Sequence, residues 1–240
     1  INVEEVKLPN HVVCLKHGKK YSAEYVNVLY RMVTRNLTVP HNFVCFTEDP
    51  KGLDMGIQVK PLQLNSDING WWYKTMFFNP DFGCYGTVLF LDLDVIVFGN
   101  IDKLFTYKPG EFCVIRDFNR SVQSHWDRMN SSCFRLETGQ HANVYQEFMT
   151  NPGQNARKYH GDQDWLYANV KSQYNFWPDE WIQSYKWEMR GRPEMNRYNG
   201  KRNFVTPGDP KILPETSIAV FHGDPNPKDC IDPWCKENWR

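Results

Sequence analysis

Two aspartates, Asp92 and Asp94, interrupt the apolar run VLFLDLDVIVFGNID. Aspartate is depleted in strands, and a carboxylate taken out of water needs a compensating partner. On an extended chain, residues two apart point to one side, so the two charges repel unless a cation lies beside them. A divalent ion meets that need: oxygen ligands suit Mg²⁺ or Mn²⁺, which bind one or two carboxylates together with substrate phosphate oxygens. The other reading pairs one aspartate with a lysine or arginine and lets the other cap the loop toward Asn100.

The elements around the pair read as alternating β and α. HVVCL, from His11, is a buried strand leading into the basic loop KHGKKYS, and helical spacing follows over Ala23–Asn36. FVCFTEDP and IQVKPL are strands, NGWWYKTMFFNP a helix ended near Asn79-Pro80, and GTVLFLDLDVIV the most apolar strand, hence central. EFCVIRDF and SSCFRLE add strands, and helices are expected over 141–149 and 162–170. From Lys171 the chain mixes aromatics with Arg, Asn, Pro and Gly, which reads as loop and short strand. SIAVFHG returns to a strand before a turn-rich tail. The expected architecture is α/β, with a mainly parallel sheet and helices on both faces. In open sheets of this kind ligands bind at the carboxyl ends of the strands.

With 240 residues, one domain is expected over 1–240, comprising a nucleotide-binding half (11–100) and an acceptor half with its tail (101–240). Lys plus Arg and Asp plus Glu balance at 28 each, which argues against a nucleic-acid partner. No apolar stretch approaches the roughly 20 residues of a membrane span. The chain starts at Ile1, so a removed leader or anchor would leave no trace here. Seven cysteines, several in strand-like runs, favour a reducing compartment such as the cytoplasm, with a lumenal one open if an anchor was removed. Cys230 and Cys235 suggest a local disulfide ahead of a metal site. The sequons at Asn36, Asn119 and Asn130 matter only in a secreted protein.

LFLDLDVIVFGNIDKLF resembles the aspartate motif of GT-A glycosyltransferases, most closely the glycogenin and lipopolysaccharide galactosyltransferase type, family 8. VVCLKHGKKYS, GWWYKTMFF, SSCFRLETG, HGDQDWLY and VFHGDPNPKD resemble further family segments in order, over most of residues 11 to 228. The resemblance implies that Asp92, Asp94 and His222 bind Mn²⁺ (or Mg²⁺), and that Lys228 neutralises the diphosphate of a nucleotide-sugar donor, a UDP-sugar by family expectation. Gly223 and the missing proline-tryptophan after Lys228 depart from the family pattern. It further implies that Leu15, Lys16 and Tyr21 contact the nucleotide and that Lys74 faces the donor. Asp162, Gln163 and Asp164 would lie against the sugar as catalytic candidates, although Asp162 and Asp164 also suit a helix start. The acceptor would be a saccharide or other glycan, with Trp165, Trp177, Trp181, Tyr185 and Trp187 as candidate stacking surfaces. Retention or inversion stays open. Two other functions fit the residues. One is a haloacid dehalogenase-type phosphatase, with Ile96 standing where its motif has threonine or valine. The other is a catalytically silent sugar- or nucleotide-binding protein of the same fold.

Overall fold

The computed structural model describes residues 9–170, 173–191 and 209–240. A seven-stranded sheet is built from β1 (Asn10–Lys16), β2 (Asn42–Thr47), β3 (Gln58–Pro61), β4 (Thr87–Leu91), β6 (Phe112–Arg116), β7 (Met129–Glu137) and β8 (Tyr174–Phe176). Its order is β3-β2-β1-β4-β7-β6-β8. The β3, β2, β1 and β4 neighbours are parallel, β7 is antiparallel to both β4 and β6, and β8 is parallel to β6. The chain thus winds outward from β1 to β3, then returns to start β4 on the other side of β1. That reversal is the topological switch point, and it opens a crevice at the carboxyl ends of β1 and β4.

Both faces of the sheet are covered, and the strand residues show why. Val12, Cys14, Cys45, Leu89 and Leu91 enter one apolar cluster with α1 (Ala23–Asn36). Val13, Val44, Phe46, Val88 and Phe90 enter the other, with α3 (Asn143–Thr150) and α5 (Asp162–Asn169). This strict alternation is the period of a strand buried on both sides. The short helices α2 (Lys103–Thr106) and α4 (Pro152–Lys158) and the tail helix α6 (Pro233–Asn238) are the other α-helices among the described residues. Among the described residues no helix is long and apolar enough to cross a membrane.

Several expectations need correction. The run 86–97 is not one strand: β4 ends at Leu91, and β5 (Val95–Val97) belongs to a second, three-stranded sheet with β10 (Ile218–Val220) and β9 (Ile182–Ser184). Asp92, Leu93 and Asp94 form the bend between the sheets, where the uninterrupted apolar pattern concealed a break. The segment Gly70–Phe78 is helical, but as a 3₁₀ helix. All seven cysteines are free thiols, so the expected Cys230–Cys235 disulfide is not formed. Asn130 is buried in β7, which closes its sequon to modification in the folded protein.

Arg135, fully buried on β7, donates to the carbonyls of Leu104 (2.7 Å), Lys108 (2.6 Å) and Glu111 (3.0 Å), tying α2 and the loop after it to the sheet. Replacing it by methionine strands one buried and two part-buried acceptors. Arg135→Met should therefore lower unfolding stability by about 3 kcal/mol in urea titration; an unchanged midpoint would show those carbonyls finding water instead.

Candidate active site

The crevice is lined by groups that chain separation hides. Lys74, in the 3₁₀ helix Gly70–Phe78, is buried, and its Nζ lies 2.9 and 3.0 Å from the two carboxylate oxygens of Asp92. It also donates to Ser131 Oγ (3.2 Å) and stands 3.8 Å from Asp162 Oδ2. Ser131 in turn donates to Asp162 (2.6 Å), so one ammonium and one hydroxyl hold two carboxylates together. The register explains the meeting. β4 pairs Leu91 with Cys133 of β7, and Asp92 N–H donates to Ser132 O (2.9 Å), which puts Ser131 beside the aspartate bend.

The electrostatics follow from this packing. Burial alone would discharge Lys74, yet the Asp162 and Asp92 charges outweigh it and hold the ammonium above its ordinary value. Burial raises Asp162, with Lys74 and Ser131 offsetting part of the effect. Asp94 is pushed up to about 7, first by burial and then by the charge of Asp92, with Lys74 opposing. Its Oδ1 is buried without a hydrogen-bond partner. Tyr21 borders the pair: burial, then Asp94 and Asp92, raise its phenol. Asp92 is lysine-paired, as the second reading of the aspartate pair expects, whereas Asp94 keeps an unsatisfied oxygen and does not cap the loop toward Asn100.

His222 arrives through the small sheet. β10 runs antiparallel to β5 with Val220 opposite Val95, and Phe221 N–H donates to Asp94 O (2.9 Å), setting His222 just beyond the bend. Its Nε2 is 2.5 Å from Ser184 Oγ, while Phe118 stacks on the ring and Trp187 meets it edge-on. Burial, then the neighbouring Lys186 charge, lower His222 to about 3. The imidazole is thus neutral at pH 7, the form that ligates metals. Buried Lys186, itself lowered to about 8 by burial, donates to the His222 and Asp224 carbonyls and fixes that turn.

Two carboxylates and a neutral imidazole form a donor set suited to Mn²⁺, and the orphaned Asp94 oxygen is an acceptor that such an ion would satisfy. Among the described residues, however, the one trio of possible ligand atoms within 4.8 Å of one another is Cys230, Asp232 and Cys235; Asp92, Asp94 and His222 stand wider apart. The cysteine trio has a structural occupation, because Asp232 accepts from Tyr185 Oη and Arg190, anchoring the tail.

The other sequence candidates divide. Lys16 is buried at the carboxyl end of β1, its ammonium makes no hydrogen bond or ion pair among the described residues, and Leu15 packs against the core beside it. Lys228 is exposed and paired with Glu24 at the start of α1. Asp162 joins Lys74, but Gln163 and Asp164 do not: consecutive helical residues diverge by about 100°, so only one of the three can face the cluster. Trp165, Trp177 and Tyr185 are buried core residues, while Trp181 and Trp187 are partly buried and pack against the core. Ser131, Ser184 and Lys186 were missed, and isolated serines and lysines carry no sequence signal for such contacts.

No protein-family model matches the sequence, and no curated protein matches it significantly. Solved structures do. The glycosyltransferase GlyE of Streptococcus pneumoniae TIGR4 aligns with TM-score 0.63 and 16% identity, over 91% of this chain and 56% of that one. The galactosyltransferase LgtC, solved in complex with donor and acceptor sugar analogs, aligns with TM-score 0.63 and 13% identity, over 95% and 93%. The chain has the GT-A fold. The bifunctional glycosyltransferase WbbM aligns with TM-score 0.57 and 12% identity, over 99% of this chain and 52% of that one. The chain thus spans little more than half the length of GlyE and WbbM and most of LgtC. The resemblance read from the sequence motifs is met in the GT-A architecture.

Asp94 gives the GT-A cleft a pH signature. Raised from 3.8 to about 7, it holds its proton in the folded state where the unfolded chain has lost it. Metal-free stability therefore falls as pH rises from about 4 to about 7, by on the order of a few kcal/mol. Urea titrations across that window should show this slope in the wild type and a flatter one in Asp94→Asn; parallel slopes would remove Asp94 as its source.

Proposed function

We propose that the chain is a metal-dependent glycosyltransferase, moving a hexose from a nucleotide sugar, a UDP-sugar, to a hydroxyl of a saccharide acceptor. The observation that carries this reading is the Lys74–Asp92–Asp162 cluster beside the unsatisfied Asp94 oxygen, at the switch point of a GT-A sheet. In this reading Asp92, Asp94 and His222 hold Mn²⁺ or Mg²⁺. When bound, the ion supplies Lewis-acid stabilisation of the departing diphosphate.

The protein groups do the rest. Lys16, uncommitted at the β1 end, offers a cation to the phosphates, and Tyr21 offers a flat ring to the nucleotide. Lys228, whose exposed pair with Glu24 is weakly held, is free to exchange that partner for a phosphate. Asp162, oriented by Ser131 and Lys74, accepts from sugar hydroxyls and places a negative charge beside the cation-like anomeric centre. Lys74 keeps Asp92 and Asp162 apart in role: it neutralises the first and positions the second. The 11–100 half supplies the nucleotide side, and the remainder supplies Asp162, His222 and the acceptor side.

The test is nucleotide release from UDP-glucose and UDP-galactose with and without Mn²⁺. Release should depend on the ion and drop roughly 10²- to 10³-fold in Asp94→Ala, the loss typical when one electrostatic stabiliser is removed. Ion-independent release, or turnover unchanged in the variant, would sink the proposal. Lys74→Met should slow release by a similar order of magnitude while leaving Mn²⁺ affinity, read by calorimetry, within a few-fold.

A further inference from the structure

Of the nine tryptophans, only Trp71 is exposed, at 52%. It borders a cavity of about 390 Å³ lined also by Ser66, Asp67, Asn69, Trp72 and Arg157. That volume lies within the range of small-ligand pockets. Trp72 forms a rigid wall because it is buried and stacked on Phe148, with ring centroids 5.3 Å apart and planes 6° apart. Among the described residues, neither the Arg157 guanidinium nor the Asp67 carboxylate makes a hydrogen bond or ion pair. An exposed indole, a carboxylate, a guanidinium, an amide and a hydroxyl thus face one open space with their polar capacity unspent.

We propose that this cavity is a saccharide subsite, taking a neutral hexopyranose unit of the acceptor beyond the ring that receives the transferred sugar. A pyranose has an apolar face that stacks on an indole and a rim of hydroxyls that both donate and accept. Asp67 accepts from such a rim and Arg157 donates to it, while Asn69 and Ser66 do both. The balance of one anion and one cation disfavours a phosphate or uronate, which Asp67 repels. The position is set by two links to the cluster. Trp71 and Lys74 are three residues apart on a 3₁₀ helix, where such residues eclipse, so both lie on one side of it. A methyl group built on Gly161, the residue before Asp162, would lie 3.6 Å from Trp71 Nε1, so the indole edge abuts the start of α5. The assignment of the ligand as acceptor rests on the proposed transfer reaction; saccharide binding at Trp71 does not.

Ligand-observed saturation-transfer NMR with methyl β-glucopyranoside, lactose and maltotriose tests it. At least one should bind the wild-type chain saturably in the millimolar range, with its Kd raised about tenfold or more in Trp71→Ala and much less in Trp71→Phe. Thermal melting checks that both variants fold. Binding should persist in Asp94→Asn, so a failed nucleotide centre and a failed subsite are seen separately. If UDP-sugar turnover ignores Asp94 while the Trp71 dependence holds, the transfer reading falls and the saccharide site stands. Absence of binding for all three sugars at tens of millimolar, an unchanged Kd in folded Trp71→Ala, or loss of binding in Asp94→Asn would each overturn the subsite.

Discussion

Three carboxylates, Asp92, Asp94 and Asp162, crowd into one partly dry cleft with a single fully engaged ammonium, that of Lys74. Coulomb repulsion in a medium of reduced dielectric makes that arrangement costly, and the fold meets the cost unevenly. Asp92 takes both contacts with Lys74, Asp162 takes a hydroxyl and a longer ionic contact, and Asp94 is left with a proton or a missing partner. The repulsion that Lys74 does not offset falls on Asp94, which burial and the Asp92 charge push up to about 7.

The surrounding architecture serves this placement. The reversal between β1 and β4 opens the crevice, and the antiparallel β7 brings Ser131 to the aspartate bend. The separate small sheet folds His222 back onto the same bend through the β5–β10 pairing. The break after Leu91 matters most here. A continuous strand would have kept Asp94 within the seven-stranded sheet; the bend releases it so that β5 can pair with β10 instead. The cluster around Lys186, which pins the carbonyls of His222 and Asp224, stiffens the far wall.

Aromatic content, conspicuous in the composition, divides by position. Trp165, Trp177 and Tyr185 fill the two cores, and Trp187 covers the His222 ring. Trp71, adjacent to buried Trp72 and carrying no distinguishing pattern of its own, is the one left facing solvent. Trp71 stands in the first turn of the 3₁₀ helix, beside the cavity and Gly161, whereas Trp72 packs on Phe148 in the core.

Local chemistry determined what could be read from residues alone. Alternating strands and helices, the apolar lead-in to Asp92 and the helical spacing of Ala23–Asn36 are near-neighbour patterns, and they carried the α/β class and the candidacy of Asp92 and Asp94, while the motif resemblance to GT-A enzymes implied Lys74, Asp162 and His222. Tertiary structure alone decided how these residues associate: Lys74 beside Asp92 and Asp162, Asp162 without Gln163 and Asp164, Lys228 against Glu24 of α1, and Ser131 in the cluster. The reason is range. Strand and helix periods are set by sterics within a few residues, whereas the approach of Lys74 to Asp162 depends on sheet order and strand register, which no local pattern encodes.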